Sequence, residues 1–276
     1  MRILRITIPA VFAAGCSPLA DGPVNPPAAI TRALPDVPEP ARLAKPPAPD
    51  PVQSPRLKRV TLSGVVFEGV AFDARRQRLV VVEQQGGPGQ RFPDAESAAR
   101  SIGGIAAVNG GFFTPVGDPL GLVIASGRPF GAWNSASSLG SGVWHADGTG
   151  KMAISRRQLL GKARAMAMRE LLQAGPLLVG NGRAVGGLEN TKSSARTMIL
   201  WDGGERWWIG RAAPCTLARC AEILATSSPS GWPVKAALNL DGGRSSELWV
   251  SEKISGGPLK SRPLWNRPVR NFLVLE

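Results

Sequence analysis

Beyond about residue 57, short apolar runs alternate with turn residues along almost the whole chain. Arg59 to Phe67 and Arg78 to Glu83 read as strands, rich in Val and Leu between turn residues. Pro93-Asp94 followed by Ala-rich residues to Ile102 predicts a short helix with an acid at its start. Ile105 to Val108 is a short apolar strand, and Leu120 to Ala125 is another that ends in Ser126-Gly127. Three hairpins follow from two apolar arms around a tight-turn signal. They are Val143 to Ala146 with Met152 to Ser155, Leu177 to Val179 with Arg183 to Val185, and Met198 to Trp201 with Arg206 to Ile209. Arg156 to Gln173 has helical periodicity with Gly161 as its weak point, and Thr216 to Ala225 predicts a second long helix. Val234 to Leu240, Glu247 to Ser251 and Val269 to Leu275 are the last strands. Many hairpin-joined strands with few helices predict the α+β class, a mixed, largely antiparallel sheet core with flanking helices.

The first 56 residues break this pattern. Arg2 and Arg5, the apolar stretch Ile6 to Ala14 and the run Ala13-Ala14-Gly15-Cys16 follow the order of a secretory signal, residues 1–15. The cysteine after small residues resembles a bacterial lipobox, with Cys16 lipidated after cleavage. Plain secretion and a cytoplasmic chain are the alternatives. Residues 16–56 hold twelve of the 25 prolines and read as an extended tether. One domain, residues 57–276, follows. No apolar run reaches the roughly 18 residues of a membrane-spanning helix.

Composition adds charge and cysteine chemistry. The chain's net charge is +13; Arg2 and Arg5 belong to the signal and residues 17–56 are balanced, so the remaining excess falls on the domain. A basic domain attracts anions: phosphate groups, anionic lipid or nucleic acid. The basic residues are scattered, without a reading helix, so nucleic acid is not expected as a partner. With Cys16 lipidated, Cys215 and Cys220 remain, and export favours a disulfide between them. Two reduced, buried thiols are the alternative. No metal site is expected, since two cysteines and the single His145 cannot complete a nitrogen–sulfur shell. No cofactor fingerprint appears.

Three glycine-rich spots follow apolar strands: Asn109-Gly110-Gly111, Gly175-Pro176 and Asn239-Leu240-Asp241-Gly242-Gly243. Glycine lets a ligand approach the main chain, and Asn or Asp puts polar groups at strand ends. Each alone reads equally as a tight turn. Ser245 and Ser246 with His145 would suit a serine hydrolase, but no nucleophile-elbow motif is present. Trp133, Trp144, Trp232, Trp249 and Trp265 are candidates to stack on a sugar ring, with core packing the competing role.

In order, Ala107-Val108-Asn109-Gly110-Gly111-Phe112-Phe113, Pro119 to Ile124, Ala174-Gly175-Pro176-Leu177-Leu178-Val179, Ala195-Arg196-Thr197 and Ala237-Leu238-Asn239-Leu240-Asp241-Gly242-Gly243 resemble the phosphodiester glycosidase family. The resemblance covers roughly residues 60–276. Two positions depart from the family's pattern. Arg244 stands where a third glycine is common, and Ile209 stands where an acid often precedes Gly-Arg.

The resemblance implies a hydrolase that cleaves a sugar from a sugar phosphodiester, and the signal-like start with Cys16 leads us to expect it exported to the cell envelope, at the periplasmic face of a bacterial membrane. A non-catalytic glycan- or phosphate-binding lipoprotein on the same fold is the alternative, and a structural protein binding anionic polymer is a third. Asp241 is the expected catalytic carboxylate. A phosphodiester leaving group departs as an anion, so one carboxylate with cationic clamps can suffice. Arg196 and Arg211 are expected to hold the phosphate through guanidinium forks. Asn109, Gly110, Gly111, Asn239, Gly242, Gly243, Arg244, Ser245 and Ser246 are expected to contact substrate. Glu247 and Asp118 are the candidates for a second acid.

Overall fold

The computed structural model describes residues 51–276. The expected signal (1–15), the lipidation site Cys16 and the tether up to residue 50 lie outside the described residues.

The described chain opens with β1 (Arg56–Leu62), β2 (Val65–Asp73), β3 (Leu79–Glu83), α1 (Ala95–Arg100) and β4 (Ala106–Asn109). Its middle holds β5 (Val123–Ala125), β6 (Arg128–Phe130), β7 (Gly142–Ala146), β8 (Met152–Arg156), α2 (Arg157–Leu160), α3 (Lys162–Ala165) and β9 (Glu170–Ala174). Then come β10 (Leu177–Gly180), β11 (Arg183–Ala184), β12 (Ser194–Trp201), β13 (Arg206–Cys215), α4 (Leu217–Thr226) and β14 (Ala236–Asn239). The chain closes with β15 (Leu248–Val250), β16 (Leu259–Ser261) and β17 (Asn271–Leu275).

These strands form three antiparallel sheets. The largest runs β1-β2-β13-β12-β14-β10-β11, the second β16-β15-β4-β17-β3 and the third β6-β5-β9-β7-β8. The fold is α+β, as the hairpin-rich pattern predicts. The main core lies where the sheets face one another, with Val70, Ile209, Val108, Leu273, Trp144 and Leu172 among its members. The outer face of the large sheet packs on α4 through Met198, Trp208, Cys220 and Leu224. The second sheet packs on α1 through Trp249, Phe272 and Ala98.

Alternation along each strand divides these faces. Along β12, Ile199 points to the inter-sheet core while Met198 and Leu200 point to α4. The same parity sends Thr197 inward and Arg196 outward. Glu68, Arg211 and Thr197 are consecutive register partners on the inward face, at one end of the core.

Three elements differ from the sequence expectation. The strand expected from Arg59 to Phe67 is two strands, turned at Ser63-Gly64, both with positive φ (46° and 81°). The apolar run hides the turn, because a two-residue hairpin interrupts hydrophobicity so briefly. The helix expected over Arg156 to Gln173 is two single-turn helices followed by β9, a strand inside the third sheet. The break falls at Gly161, whose φ is 71°, and burial between β5 and β7 overrides the helical preference of Glu170 to Ala174. Only Val123–Ala125 of the Leu120 to Ala125 run is strand, paired through Ser126-Gly127 with a short partner, β6.

Gly69 and Gly210 face each other across β2 and β13, under the Trp208 indole. A Cβ on Gly69 would stand 2.3 Å from the Ile209 carbonyl oxygen and 2.4 Å from the Trp208 ring. Gly69→Ala is therefore expected to destabilise the protein by about 1–3 kcal/mol through overpacking, read as a lower denaturation midpoint in urea.

Candidate active site

The turn after β14 meets the end of β4 at a buried amide. Asn109, the last residue of β4, is fully buried. Its Nδ2 donates to the Asp241 carbonyl oxygen at 2.6 Å. Its Oδ1 accepts from Thr197 Oγ1 at 2.7 Å and from the Glu247 backbone N–H at 3.1 Å. One side chain thus ties together β4, β12 and the two acid-bearing residues. Asn109 is engaged with protein on both sides, and the arrangement assigns it a positioning role instead of the expected sugar contact.

Gly110 and Gly111 sit against Asn271, the first residue of β17. Gly111 N–H donates to Asn271 Oδ1 at 2.9 Å, and a Cβ on Gly110 would come within 2.0 Å of that oxygen. Asn271 was not singled out from sequence, and its only signal there is a polar residue heading an apolar strand. Asn239 is buried and donates to the Gly175 and Leu240 carbonyls at 2.9 and 2.8 Å. It holds the β9–β10 connection against the start of Asp241's turn.

Asp241 is partly buried. Burial pushes its carboxyl above the usual Asp range. The Ser245 hydroxyl, the Gly242 N–H at 2.9 Å and the charge of Arg267 oppose that rise. Gly242 is pressed on the Ala195 carbonyl, where a Cβ would stand 2.6 Å away, and Gly243 has a φ of 60°. Both positions exclude larger residues. Ser246 Oγ lies 2.9 Å from Thr197 Oγ1 and accepts from Arg211 Nε at 3.4 Å.

Glu247 is buried, and burial pushes its carboxyl up to about 7. The Ala95 N–H opposes that rise, the charge of Asp94 adds to it, and Arg262 and Lys260 oppose it. Asn266 Nδ2 reaches Glu247 Oε2 at 3.4 Å, while Asn266 Oδ1 is buried without a partner.

The four arginines have four different fates. Arg196 lies on the α4 side, where Nε donates to the Cys215 carbonyl at 2.9 Å and Nη2 to the Lys192 carbonyl at 2.8 Å. It does not converge with Asp241, because its strand neighbour Thr197 takes the inward direction. Arg211 points inward, where Nε reaches Ser246 Oγ, and it pairs with Glu68 at 3.1 Å and donates to Ser261 Oγ at 2.6 Å. Glu68 supplies a carboxylate beside Arg211. The Ile209 position, where an acid was missed, lies in the apolar core. Arg211, Glu68, Arg59, Lys260 and Ser261 line a cleft of about 460 Å³. Arg244 is exposed and pins the segment 262–268, with Nε donating to the Trp265 carbonyl at 2.9 Å and its own carbonyl accepting from Arg267 N–H at 2.8 Å. Arg267, absent from the sequence expectations, stacks 4.6 Å over Phe113 and acts electrostatically on Asp241.

Other candidates stand apart. Asp118 is exposed in the turn closed by Thr114. His145, held near 4 by burial, pairs with Ser155 at 3.0 Å in the third sheet, not with Ser245 or Ser246. Cys215 and Cys220 are free thiols, both buried. The disulfide expected between them is not formed. Instead the Thr216 cap that starts α4 brings the thiols into hydrogen-bonding contact, which with Arg196 lowers Cys215. Among the described residues no group of three or more His, Cys, Asp or Glu is placed to hold a metal ion.

Residues 103–276 match the family model for phosphodiester glycosidases. The chain belongs to the phosphodiester glycosidase family. Asn109, Asp241 and Glu247 all lie inside the matched region. The fold is similar to the catalytic domain of zebrafish N-acetylglucosamine-1-phosphodiester alpha-N-acetylglucosaminidase, a structure auto-inhibited by its pro-peptide. That match has 16% identity and a TM-score of 0.54, covering 81% of this chain and 82% of that one. A hypothetical protein from Synechocystis matches at 17% identity and a TM-score of 0.54, over 79% of this chain and 61% of that one. A protein of Burkholderia pseudomallei matches at 15% identity and a TM-score of 0.55, over 76% of this chain and 74% of that one. Comparison with the curated proteins finds no match.

Glu247 also links the site to stability. Its folded carboxyl holds a proton up to about 7, against 4.5 for an ordinary glutamate. Folding therefore loses stability as pH rises from about 4.5 to about 7, and the loss is complete above that window. Glu247→Gln removes the titration. At pH 8 it is expected to be more stable than the parent by about 3 kcal/mol, at 1.36 kcal/mol per unit of pKa. Denaturation curves at pH 4 and pH 8 check this: an equal difference at both would sink the assignment.

Proposed function

We propose that this phosphodiester glycosidase is an exported hydrolase that releases a sugar from a sugar phosphodiester in the cell envelope. The observation that carries the reading is the pair of desolvated carboxyls, Asp241 and Glu247, whose main chains are tied to one buried amide within the family-matched region. The signal-like residues 1–15 and Cys16 support export and anchoring by lipid at the periplasmic face. In that oxidising compartment the touching thiols of Cys215 and Cys220 are the pair a disulfide would join.

Cleavage of the glycosidic C–O bond leaves positive charge on the sugar ring and negative charge on the departing phosphate. Asp241 is the carboxylate that meets the ring's charge. Gly242 and Gly243 let the Asp241 turn pack closely against β12. The leaving group is a phosphate monoester, already anionic, and it needs little protonation. Arg267 is the cation that acts on Asp241, and Arg211 lines a cleft of its own with Glu68, Arg59 and Lys260. Glu247, titrating near 7, is the candidate for moving a proton to or from water.

Asp241→Asn is expected to reduce turnover of a chromogenic sugar phosphodiester by roughly 10²–10³-fold, the range for loss of one group that stabilises transition-state charge, with the fold intact by circular dichroism. Absence of turnover by the parent across a broad panel of such diesters would leave the non-catalytic binding protein as the better reading. Arg267→Ala and Arg196→Ala separate the arginines. The first is expected to lower kcat, whereas the second lowers the melting temperature and leaves kcat near the parent's. The reverse order would return the phosphate clamp to Arg196.

A further inference from the structure

Three loops meet at the rim of the Asp241 turn. Gly117 packs on Pro88, and Gly89 packs on Pro268, so the loops around residues 86–90, 113–118 and 262–268 are in contact. Arg270 Nη1 donates to the Gly117 carbonyl at 2.9 Å, and Arg267 lies over Phe113. At the tips of two of these loops stand Val116, Leu264 and Trp265, which are 84%, 99% and 79% exposed. They are the three most exposed large hydrophobic residues among those described.

This exposure is built in. Arg244 grips the loop at two points, the Trp265 carbonyl and the Arg267 N–H, and Asn266 is held by Glu247. Pro263 and Pro268 restrict the backbone on either side. A loop held in this way cannot fold Leu264 and Trp265 back onto the core. Around them Arg244, Arg262 and Arg267 are exposed, and the three loops carry one acid, Asp118; Arg262 also lies 3.8 Å from Asp94. Trp and Leu projecting from a ring of arginines match the two layers of a membrane surface, acyl boundary and anionic headgroup.

We propose that the Val116–Leu264–Trp265 rim docks the domain onto an anionic phospholipid surface. The apolar tips enter the boundary between headgroups and acyl chains, and the arginines meet lipid phosphates. This contact is separate from any lipid on Cys16, and it rests on the rim's geometry, not on the hydrolase reading.

The test uses the full chain carrying Cys16→Ser, so that no acyl chain contributes. Vesicles of equal parts phosphatidylglycerol and phosphatidylcholine are compared with pure phosphatidylcholine, by co-sedimentation at low and high salt. The parent is expected to bind the anionic vesicles, less at high salt. Leu264→Ser with Trp265→Ser is expected to weaken that binding by on the order of tenfold, with an unchanged melting temperature because both side chains face solvent. A polarity-sensitive dye on Leu264→Cys reads the rim directly, and is expected to shift blue only with anionic vesicles. Equal binding by parent and double variant, equal binding to both vesicle types, or an unshifted dye would each overturn the proposal.

Discussion

The site hangs on the side-chain amide of Asn109. It leaves the second sheet at the end of β4, reaches the large sheet through Thr197, and holds Asp241 and Glu247 by their main chains. A buried amide in a low-dielectric interior must find partners for both its ends, and a network satisfied in this way is rigid. From Thr197 the chain of contacts continues through Ser246 to Arg211 and on to Glu68 and Ser261. The junction of two sheets and the placement of two carboxyls are therefore one physical arrangement. The glycines around it have the complementary task of letting backbones come close. Gly110 is closed off by Asn271 and Gly242 by Ala195.

The arginines show why net charge says little about where cations act. Arg196 spends its donors on backbone carbonyls beside α4. Arg211 faces the site but shares its charge with Glu68. Arg244, at a position where the family often has glycine, works as a clasp on the segment 262–268. That clasp carries Arg267 to Asp241 and holds Trp265 and Leu264 out in solvent. One departure from the family's pattern thus shapes both the electrostatics of the turn and the surface beside it.

Much of this protein was legible in its residues. The hairpins at Asp147-Gly148, Asn181-Gly182 and Asp202-Gly203, the capped helix after Thr216 and the α+β class follow from turn chemistry and local periodicity, which act over a few neighbours. The motifs ending in Asn109-Gly110-Gly111 and Asp241-Gly242-Gly243 pointed to the family, because glycine and Asx at strand ends leave a local signature. Strand parity was also available: Arg196 and Thr197 are adjacent in one strand and cannot both face inward. What only the tertiary structure decided involves residues far apart in the chain. Burial between β5 and β7 made Glu170–Ala174 a strand despite its helical pattern. Packing around the α1 start raised Glu247, and a loop sixteen residues or more beyond the serines placed Arg267 by Asp241. Desolvation and charge depend on every group within a few ångströms, and sequence distance does not encode which groups those are.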